Sequence, residues 1–513
     1  MTNADHLLTQ AITALREARI DDAAEALDAV LALIPGHSQA NAFRGTIHLS
    51  QGNSAASLPY FRLAADAHTA DPGFNQNYAI ALLAGGDAVT AEEIARRALI
   101  NAPGNPAVLL TLARSLRAQG HEREALDLLH QVSTAQPSLA ICNEEGLCLM
   151  ELNRPKEAET AFTRAAEFDE TAYEPWHNLG NATLDQGRPN DAIAAFDRAI
   201  QRAPEHAPSH VHRAQALLLS GRYSEGWESY EWRWKLPNRL ALRDGLSTPL
   251  WDGRPFTGKR LLIYAEQGFG DTLQFARFLP LAQARGGTVI VDVPAALHRL
   301  FASQNAGYEV SRQDGKVPAH DLRIPMMSLP RALDITLDNL PAPQSYLSVA
   351  EGDSKWPERL ADAPGLKVGL AWRAFAERRG SAFRTVPLAA LAQLFDISGI
   401  SWFSLQKETS RDDPPTPANL RDMSEHLTDF WETAAFIRQL DLVITVDTAV
   451  AHLAGVLGRP VWVMLPYGND WRWLTTRSDS PWYPTAKLYR QNTGRTWDSV
   501  VEAVAHDLAV AAS

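Results

Sequence analysis

Arg260-Leu-Leu-Ile-Tyr-Ala-Glu-Gln-Gly-Phe-Gly-Asp271 cuts the 513-residue chain in two. It opens as a short apolar strand and ends at the start of a helix. Two glycines stand in the turn between, where a backbone must bend tightly or approach a ligand closely. The third glycine of a dinucleotide fingerprint is absent, and Leu273 stands in its place. Upstream the chain is periodic. Small residues recur at Gly45, Ala79, Ala113, Gly146, Gly180 and Ala214, in steps of 34, 34, 33, 34 and 34 residues. A second series follows seven residues behind: Gly52, Gly86, Gly120, Asn153, Gly187 and Gly221. Past residue 258 the period is gone. The upstream part reads as built to hold a partner, the downstream part as built for chemistry on a small ligand.

Composition narrows the classes. An apolar fraction of 45% and a charged fraction of 21% are ordinary for a globular chain of more than one domain. The net charge of −12, with no long basic run, argues against nucleic acid as a partner. No apolar run is long enough for a membrane span. Met1-Thr-Asn-Ala-Asp-His6 lacks the layout of a signal peptide, so the expected location is cytoplasmic. Cys142 and Cys148, six residues apart on a helix, point to different faces and read as buried and reduced.

Within each repeat, one helix carries the first small residue and a turn carries the second. An alanine then opens the next helix, at Ala23, Ala91, Ala125, Ala158 and Ala192. A further small or β-branched residue recurs at Ala64, Ala98, Val132, Ala165 and Ala199. Prolines at Pro35, Pro103, Pro137 and Pro204 close units where a helix cannot simply continue. This is the pattern of paired antiparallel helices that must stack to bury their apolar faces. It resembles the tetratricopeptide repeat over residues 4–235, with room for seven units. In that family the first helix of each unit lines a concave surface. Asn77, Asn178 and Asn181 fall there, and carboxamides can bond an extended peptide through both N–H and C=O. They are the expected acceptor-protein contacts, with solvent-facing side chains; a merely solvated helix face is the competing reading. Trp227, Tyr230 and Trp234 form an aromatic stripe expected to pack the last repeat onto the following domain, across a connector at 236–257.

Downstream, Arg260–Ala265, Thr288–Val293, Leu322–Ile324, Lys367–Trp372, Trp402–Leu405, Leu442–Val446 and Val461–Leu465 read as strands. Helical stretches separate most of them, the rhythm of parallel α/β sheets. Asp441-Leu-Val-Ile-Thr-Val-Asp447-Thr-Ala-Val-Ala-His452-Leu-Ala-Gly455 is a buried strand followed by an alanine-rich helix. The unpaired N–H groups opening that helix suit a phosphate. Ser404-Leu-Gln-Lys407 offers an ammonium at another strand end. Pro466-Tyr-Gly-Asn-Asp470-Trp-Arg-Trp473 completes the set.

Together these four motifs resemble heptosyltransferase-like (family 9-like) glycosyltransferases of GT-B fold. They are closest to a bacterial subgroup in which the module follows tetratricopeptide repeats and some members glycosylate flagellin. The resemblance implies an α-solenoid followed by two Rossmann-like domains, at 258–350 on the acceptor side and 366–513 on the nucleotide-sugar donor side. It implies an inverting, metal-independent transfer from a nucleotide-sugar co-substrate, with no cofactor. Asp271 matches the carboxylate that takes a proton from the acceptor hydroxyl; helix capping is its competing role. Gly268, Gly270, Lys407, Asp447, Thr448, Ala449, His452 and Arg472 are the expected donor contacts. Asp447 and Thr448 could instead cap their helix, His452 could be a core histidine, and Glu266 and Gln267 could line the site or bond the loop. Ala374–Arg384 departs from the family's Gly-Asn-Pro loop, and the first domain is short. Three functions compete: a protein glycosyltransferase acting on Ser/Thr, with flagellin the suspected acceptor recruited by the repeats; a glycolipid or lipopolysaccharide glycosyltransferase; and a non-catalytic scaffold with a decayed module.

Overall fold

A computed structural model of the chain describes residues 2–236, 245–350, 354–374, 384–407 and 415–513. Part of the expected connector, 237–244, and most of the Ala374–Arg384 loop, 375–383, lie outside the described residues. The helices run from Asn3–Arg16 to Tyr223–Tyr230, fourteen among the described residues, followed by a 3₁₀ turn at Glu231–Lys235. Seven units are thus accounted for.

Both periodic series have a local physical cause. Gly52, Gly86, Gly120, Gly187 and Gly221 adopt φ of +68° to +87°, the left-handed conformation that ends a helix. The one substitute is Asn153, at φ +57°, and asparagine tolerates that region best after glycine. The other series sets how closely helices cross. A Cβ on Gly45 would stand 3.0 Å from the Phe61 ring, and one on Gly146 only 2.4 Å from Phe162. Where the anchor is Ala79 or Ala113, the residue sixteen further on is the smaller Ala95 or Leu129, and these side chains are buried. Small and large trade places across the crossing. Ala23, Ala91, Ala125, Ala158 and Ala192 are wholly buried, as the repeat reading expects.

Contact density divides the chain into two compact units within the sixth repeat, not at its end. One runs to Thr183 and includes Gln201–Pro204; the other comprises Leu184–Ile200 and Glu205–Ser513. The second unit holds two all-parallel sheets. The first sheet has strands β1 (Arg260–Tyr264), β2 (Thr288–Val293), β3 (Glu309–Arg312) and β4 (Leu322–Pro325), in the order β3-β2-β1-β4. The second has β5 (Leu366–Ala371), β6 (Ile400–Ser404), β7 (Leu420–Asp422), β8 (Leu442–Val446), β9 (Val461–Leu465) and β10 (Ala486–Arg490), in the order β10-β9-β8-β5-β6-β7. The central strands are buried on both faces, which is why they read as apolar runs.

One hydrophobic core joins these sheets to the last repeat. Tyr223, Trp227 and Tyr230 share it with Phe275, Phe278, Trp471 and Trp482. Trp227 meets Phe275 and Trp471 edge-on at 5.9 and 5.3 Å, and Trp482 donates its indole N–H to the Tyr223 hydroxyl at 3.0 Å. Of the expected stripe, Trp227 and Tyr230 pack in this core, while Trp234 lies partly buried against a separate cluster of Leu262, Tyr264 and Ile290. No helix among the described residues is long and apolar enough to cross a membrane.

Candidate active site

Three strand ends converge in the second unit. After β1, Glu266-Gln-Gly leads into the helix Phe269–Phe275. After β8, Asp447-Thr448 leads into the helix Ala449–Val456. After β9, the chain turns through Asp470-Trp-Arg-Trp473. Ligands of parallel sheets gather at such carboxyl ends.

Arg472 stands at the centre. It donates to Asp271 Oδ1 at 2.5 Å, to Gln274 Oε1 at 2.8 Å and to Asp470 Oδ1 at 2.8 Å, with its guanidinium over the Trp471 ring. Burial alone would make it easier to deprotonate. Asp470 and Asp271 outweigh that and hold it charged. A guanidinium has five N–H donors, so two of Arg472's remain unused among the described residues.

Asp271 is the third residue of its helix. Its Oδ2 accepts the Gly268 N–H at 2.9 Å while Oδ1 meets Arg472, and its side chain keeps 16% of its exposure. Capping and facing the site are therefore combined in one carboxylate. Each oxygen retains a lone pair beyond the bonds it makes.

Asp447 is buried at the end of β8. Burial, reinforced by the neighbouring Asp470 carboxylate, pushes its carboxyl up, and Arg384 opposes this from 3.5 Å. Asp470 behaves oppositely: burial would raise it, but the Arg472 charge and N–H groups hold it below the usual carboxylate range. Two neighbouring carboxylates pushed apart in this way are a common arrangement for proton handling. Thr448 caps the helix Ala449–Val456, its hydroxyl accepting the Val450 N–H at 3.3 Å. Ala449, first in that helix, has no intrahelical acceptor for its N–H.

Several expected donor contacts have other roles here. Gly268 turns its N–H back to Asp271. Gly270 takes an ordinary helical conformation, and a Cβ there would stand 2.6 Å from the His452 ring; its missing side chain lets two helices touch. His452 is buried, bonds the Tyr483 hydroxyl through Nδ1 at 2.8 Å and stacks on Trp473. Burial, then the Arg472 charge, pushes it down to about 3, so it is neutral and cannot offer positive charge to a phosphate. Lys407 is exposed and donates to the Leu427 carbonyl. It lies one residue beyond Gln406, whose side-chain oxygen accepts the Trp372 and Arg373 N–H groups and ties β6 to β5.

The carboxamides of the repeats face solvent less than expected. Asn178 donates to Asn143 at 2.8 Å and Asn181 lies 3.2 Å from the His177 ring; both are half-buried. Asn77 is also half-buried, and its carboxamide makes no hydrogen bond among the described residues. Other first-helix positions are engaged as well. Glu144 is a buried carboxylate bonded by Arg114 at 3.0 Å and Arg117 at 2.5 Å.

Three residues that the sequence did not single out hold the site together. Arg277 donates to the carbonyls of Gln274, Pro341 and Trp482 and to the Tyr346 hydroxyl, bridging the two sheets' domains. Gln274 receives Arg472. Arg233, from the 3₁₀ turn after the last repeat, grips Glu266 with two bonds, of 2.8 and 3.1 Å. It also donates to Ser328, Glu231 and the Tyr230 carbonyl, so all five N–H groups are used. Glu266 and Gln267 thus bond the loop, not the cleft: Gln267 donates to the Tyr230 hydroxyl at 2.8 Å. Removing one partner of so buried a pair costs about 3–5 kcal/mol. Arg233 and Glu266 lie 33 residues apart, and no local pattern marks the pair.

Comparisons with known proteins fit this division. Tetratricopeptide-repeat family models match residues 8–73, 82–141 and 177–231. Protein FlbA of Caulobacter vibrioides is 28% identical, over 77% of this chain and 71% of its own length. The repeats end at residue 235, so a match of that extent must reach into the α/β part. Protein O-mannosyl-transferase TMTC3 of Homo sapiens is 28% identical over 23% of this chain, which spans only 13% of that protein. A thermophilic tetratricopeptide-repeat protein of Thermus thermophilus is 22% identical over 35% of this chain and 99% of its own, with a TM-score of 0.33. A second, from Parabacteroides merdae, is 16% identical over 44% and 92%, with a TM-score of 0.38. The chain carries tetratricopeptide repeats followed by parallel α/β sheets.

Proposed function

We propose that the chain is an inverting glycosyltransferase of GT-B architecture. It moves a sugar from a nucleotide-sugar donor to Ser or Thr hydroxyls of a protein held by the repeats, with flagellin the leading candidate. The observation that carries this is the meeting of Asp271 with Arg472, next to the β8 turn of Asp447 and Thr448. A base from the first sheet's domain faces a phosphate-type seat in the second's. In the reaction, the acceptor oxygen attacks the anomeric carbon and its proton passes to Asp271. The bond from that carbon to the donor phosphate breaks, and the nucleotide leaves with the electron pair. Fixed charges stabilise the leaving group: the N–H groups at Ala449, the unused N–H groups of Arg472, and Lys407. None of these requires a metal. The FlbA match, which extends from repeats into the α/β part, supports the two halves acting as one protein.

The test is nucleotide release from a panel of UDP-, GDP-, ADP- and CMP-sugars, with purified flagellin as acceptor and intact-mass detection of the product. Added chelator should leave the rate unchanged. A chain shortened to begin at Thr171 keeps the last two repeats and should still release nucleotide, but should lose most modification of the protein. Cutting at residue 236, as the repeat boundary alone suggests, would strip Tyr223, Trp227 and Tyr230 from the core. Modification of lipid-linked sugars alone, with flagellin untouched in every arm, overturns the protein-acceptor reading.

A further inference from the structure

The last repeat does more than end the solenoid. Arg233 is 1% exposed and holds Glu266 through two oxygens. Glu266 is in turn tied by the Met327 N–H at 3.1 Å, and Arg233 by Ser328 at 2.7 Å, both just beyond β4. Gln267, the next residue, is held by Tyr230. The residue after that is Gly268, whose N–H fixes Asp271. The other catalytic loop is braced from the same side. Asp185, at the end of the sixth repeat's first helix, accepts Arg495 at 2.8 Å, and its carboxylate and carbonyl leave no room for a Cβ on Gly468, two residues before Asp470. Trp227 meets Trp471, the neighbour of Arg472, edge-on.

We infer that Arg233 and Tyr230 are positioning residues for sugar transfer: through Glu266 and Gln267 they set the β1 loop so that Asp271 stands opposite Arg472. The repeats are then part of the transfer site, not only a tether for the acceptor. This rests on the reading of Asp271 as the base. The chemistry favours a positioning role over simple packing. An apolar pair of the same volume would fill the space as well and spare the cost of burying charge. A guanidinium with all five donors engaged instead fixes direction, which an apolar contact does not. A carboxylate moved by about 1 Å from its reacting geometry can lose ~100-fold in rate. The donor seat at Thr448 and Ala449 lies on a different strand end and is untouched by the change.

The experiment uses the full chain with the sugar nucleotide that it turns over fastest, and follows nucleotide release with water as acceptor. Arg233→Met should lower kcat by about 10- to 100-fold with KM for the donor unchanged. Arg233→Lys, which can reach one oxygen of Glu266, should recover part of it. Tyr230→Phe removes a single hydroxyl and keeps the ring in the core, so it tests the idea even if Arg233→Met does not fold; a two- to fivefold loss in kcat alone is expected, on the order of one hydrogen bond. Hydrogen exchange should speed up in the peptide covering Glu266–Asp271 of Arg233→Met or Tyr230→Phe and remain unchanged at β8. Folded variants with wild-type kcat and wild-type exchange at that loop overturn the inference. A uniform fall in melting temperature with kcat intact does so as well, since it marks a packing role. Asp271→Asn is the control for the underlying reading. If it too releases nucleotide at the wild-type rate, or the wild-type chain turns over no donor, the transfer reading itself fails and takes the inference with it.

Discussion

The repeats before Thr183 and those after Leu184 are written in the same periodic code, yet their polar residues bond to different things. In the first group the polar groups on the helices answer one another: Arg114 and Arg117 share Glu144, Arg97 meets Asn75, and Asn178 meets Asn143. In the second group they reach across to the α/β part: Asp185 to Arg495, Tyr223 to Trp482, Tyr230 to Gln267 and Arg233 to Glu266. The shared spacing determines the fold of each repeat, while what the polar groups on its helices meet determines what it serves. The early repeats form a compact unit of their own; the late ones become part of the unit that holds the two sheets.

Five perturbations would sharpen or break that division, from the largest expected effect to the smallest. Asp271→Ala should cut nucleotide release about 10²–10⁴-fold, the usual cost of losing a general base, while pull-down of the acceptor by the early repeats is unchanged. A parallel loss of acceptor binding would mean that the two groups are not separable. Trp227→Ala should cost about 3–5 kcal/mol of stability, as for a large buried aromatic, and denaturant melts should place the loss in the unit that holds the two sheets. Gly146→Ala forces a Cβ against Phe162 and should cost about 1–3 kcal/mol. Hydrogen exchange should confine it to the early repeats, with nucleotide release intact.

The fourth is a pH effect. His452 is held down to about 3 in the folded chain, against an ordinary value near 6.5. The unfolded chain therefore takes up a proton below about pH 6.5 that the folded one refuses. Its contribution to stability is complete above that pH and falls by about 1.4 kcal/mol per pH unit as acid is added. Urea titrations from pH 7 to 5 should show this slope in the unit that holds the two sheets. His452→Gln should remove that part of it; an unchanged slope would show that another group is responsible. The carboxamide set gives a smaller expectation. Replacing Asn77, Asn178 and Asn181 together should weaken acceptor capture by about tenfold, near 1.4 kcal/mol, part of it through the lost internal bonds of Asn178 and Asn181.

What the sequence disclosed follows from how local each signal is. Turn glycines and crossing residues obey sterics within one unit, so the repeats were plain to read, down to Asn153 in place of glycine. β2, β8 and β9 appear with their observed bounds because central strands are continuous apolar runs. β3, β7 and β10 were missed. Glu309–Arg312 and Leu420–Asp422 are short edge strands with polar residues, and Ala486–Arg490, at the other edge of its sheet, carries two cations among its five residues. In the site, Asp271, Asp447, Thr448 and Arg472 were legible because each stands in a motif at a strand end. Arg233, Gln274 and Arg277 were not, because what they hold lies far off in sequence or in the backbone. Gly270 was legible as glycine but for the wrong neighbour: its space is taken by a histidine ring from the facing helix.

The boundary inside the sixth repeat has a consequence for how such a chain can change. Stacked repeats interact mainly with their immediate neighbours, so units can be added, lost or exchanged at one end with little effect at the other. Here the exchangeable end is the N-terminal one, and the unit of exchange stops short of Leu184. A new set of early repeats grafted there would meet the Asp271–Arg472 pair and its supports intact, and would change only the surface the solenoid presents. The same graft at the last repeat's end would arrive without Arg233 and Tyr230, and with no hand on the loop that carries Asp271.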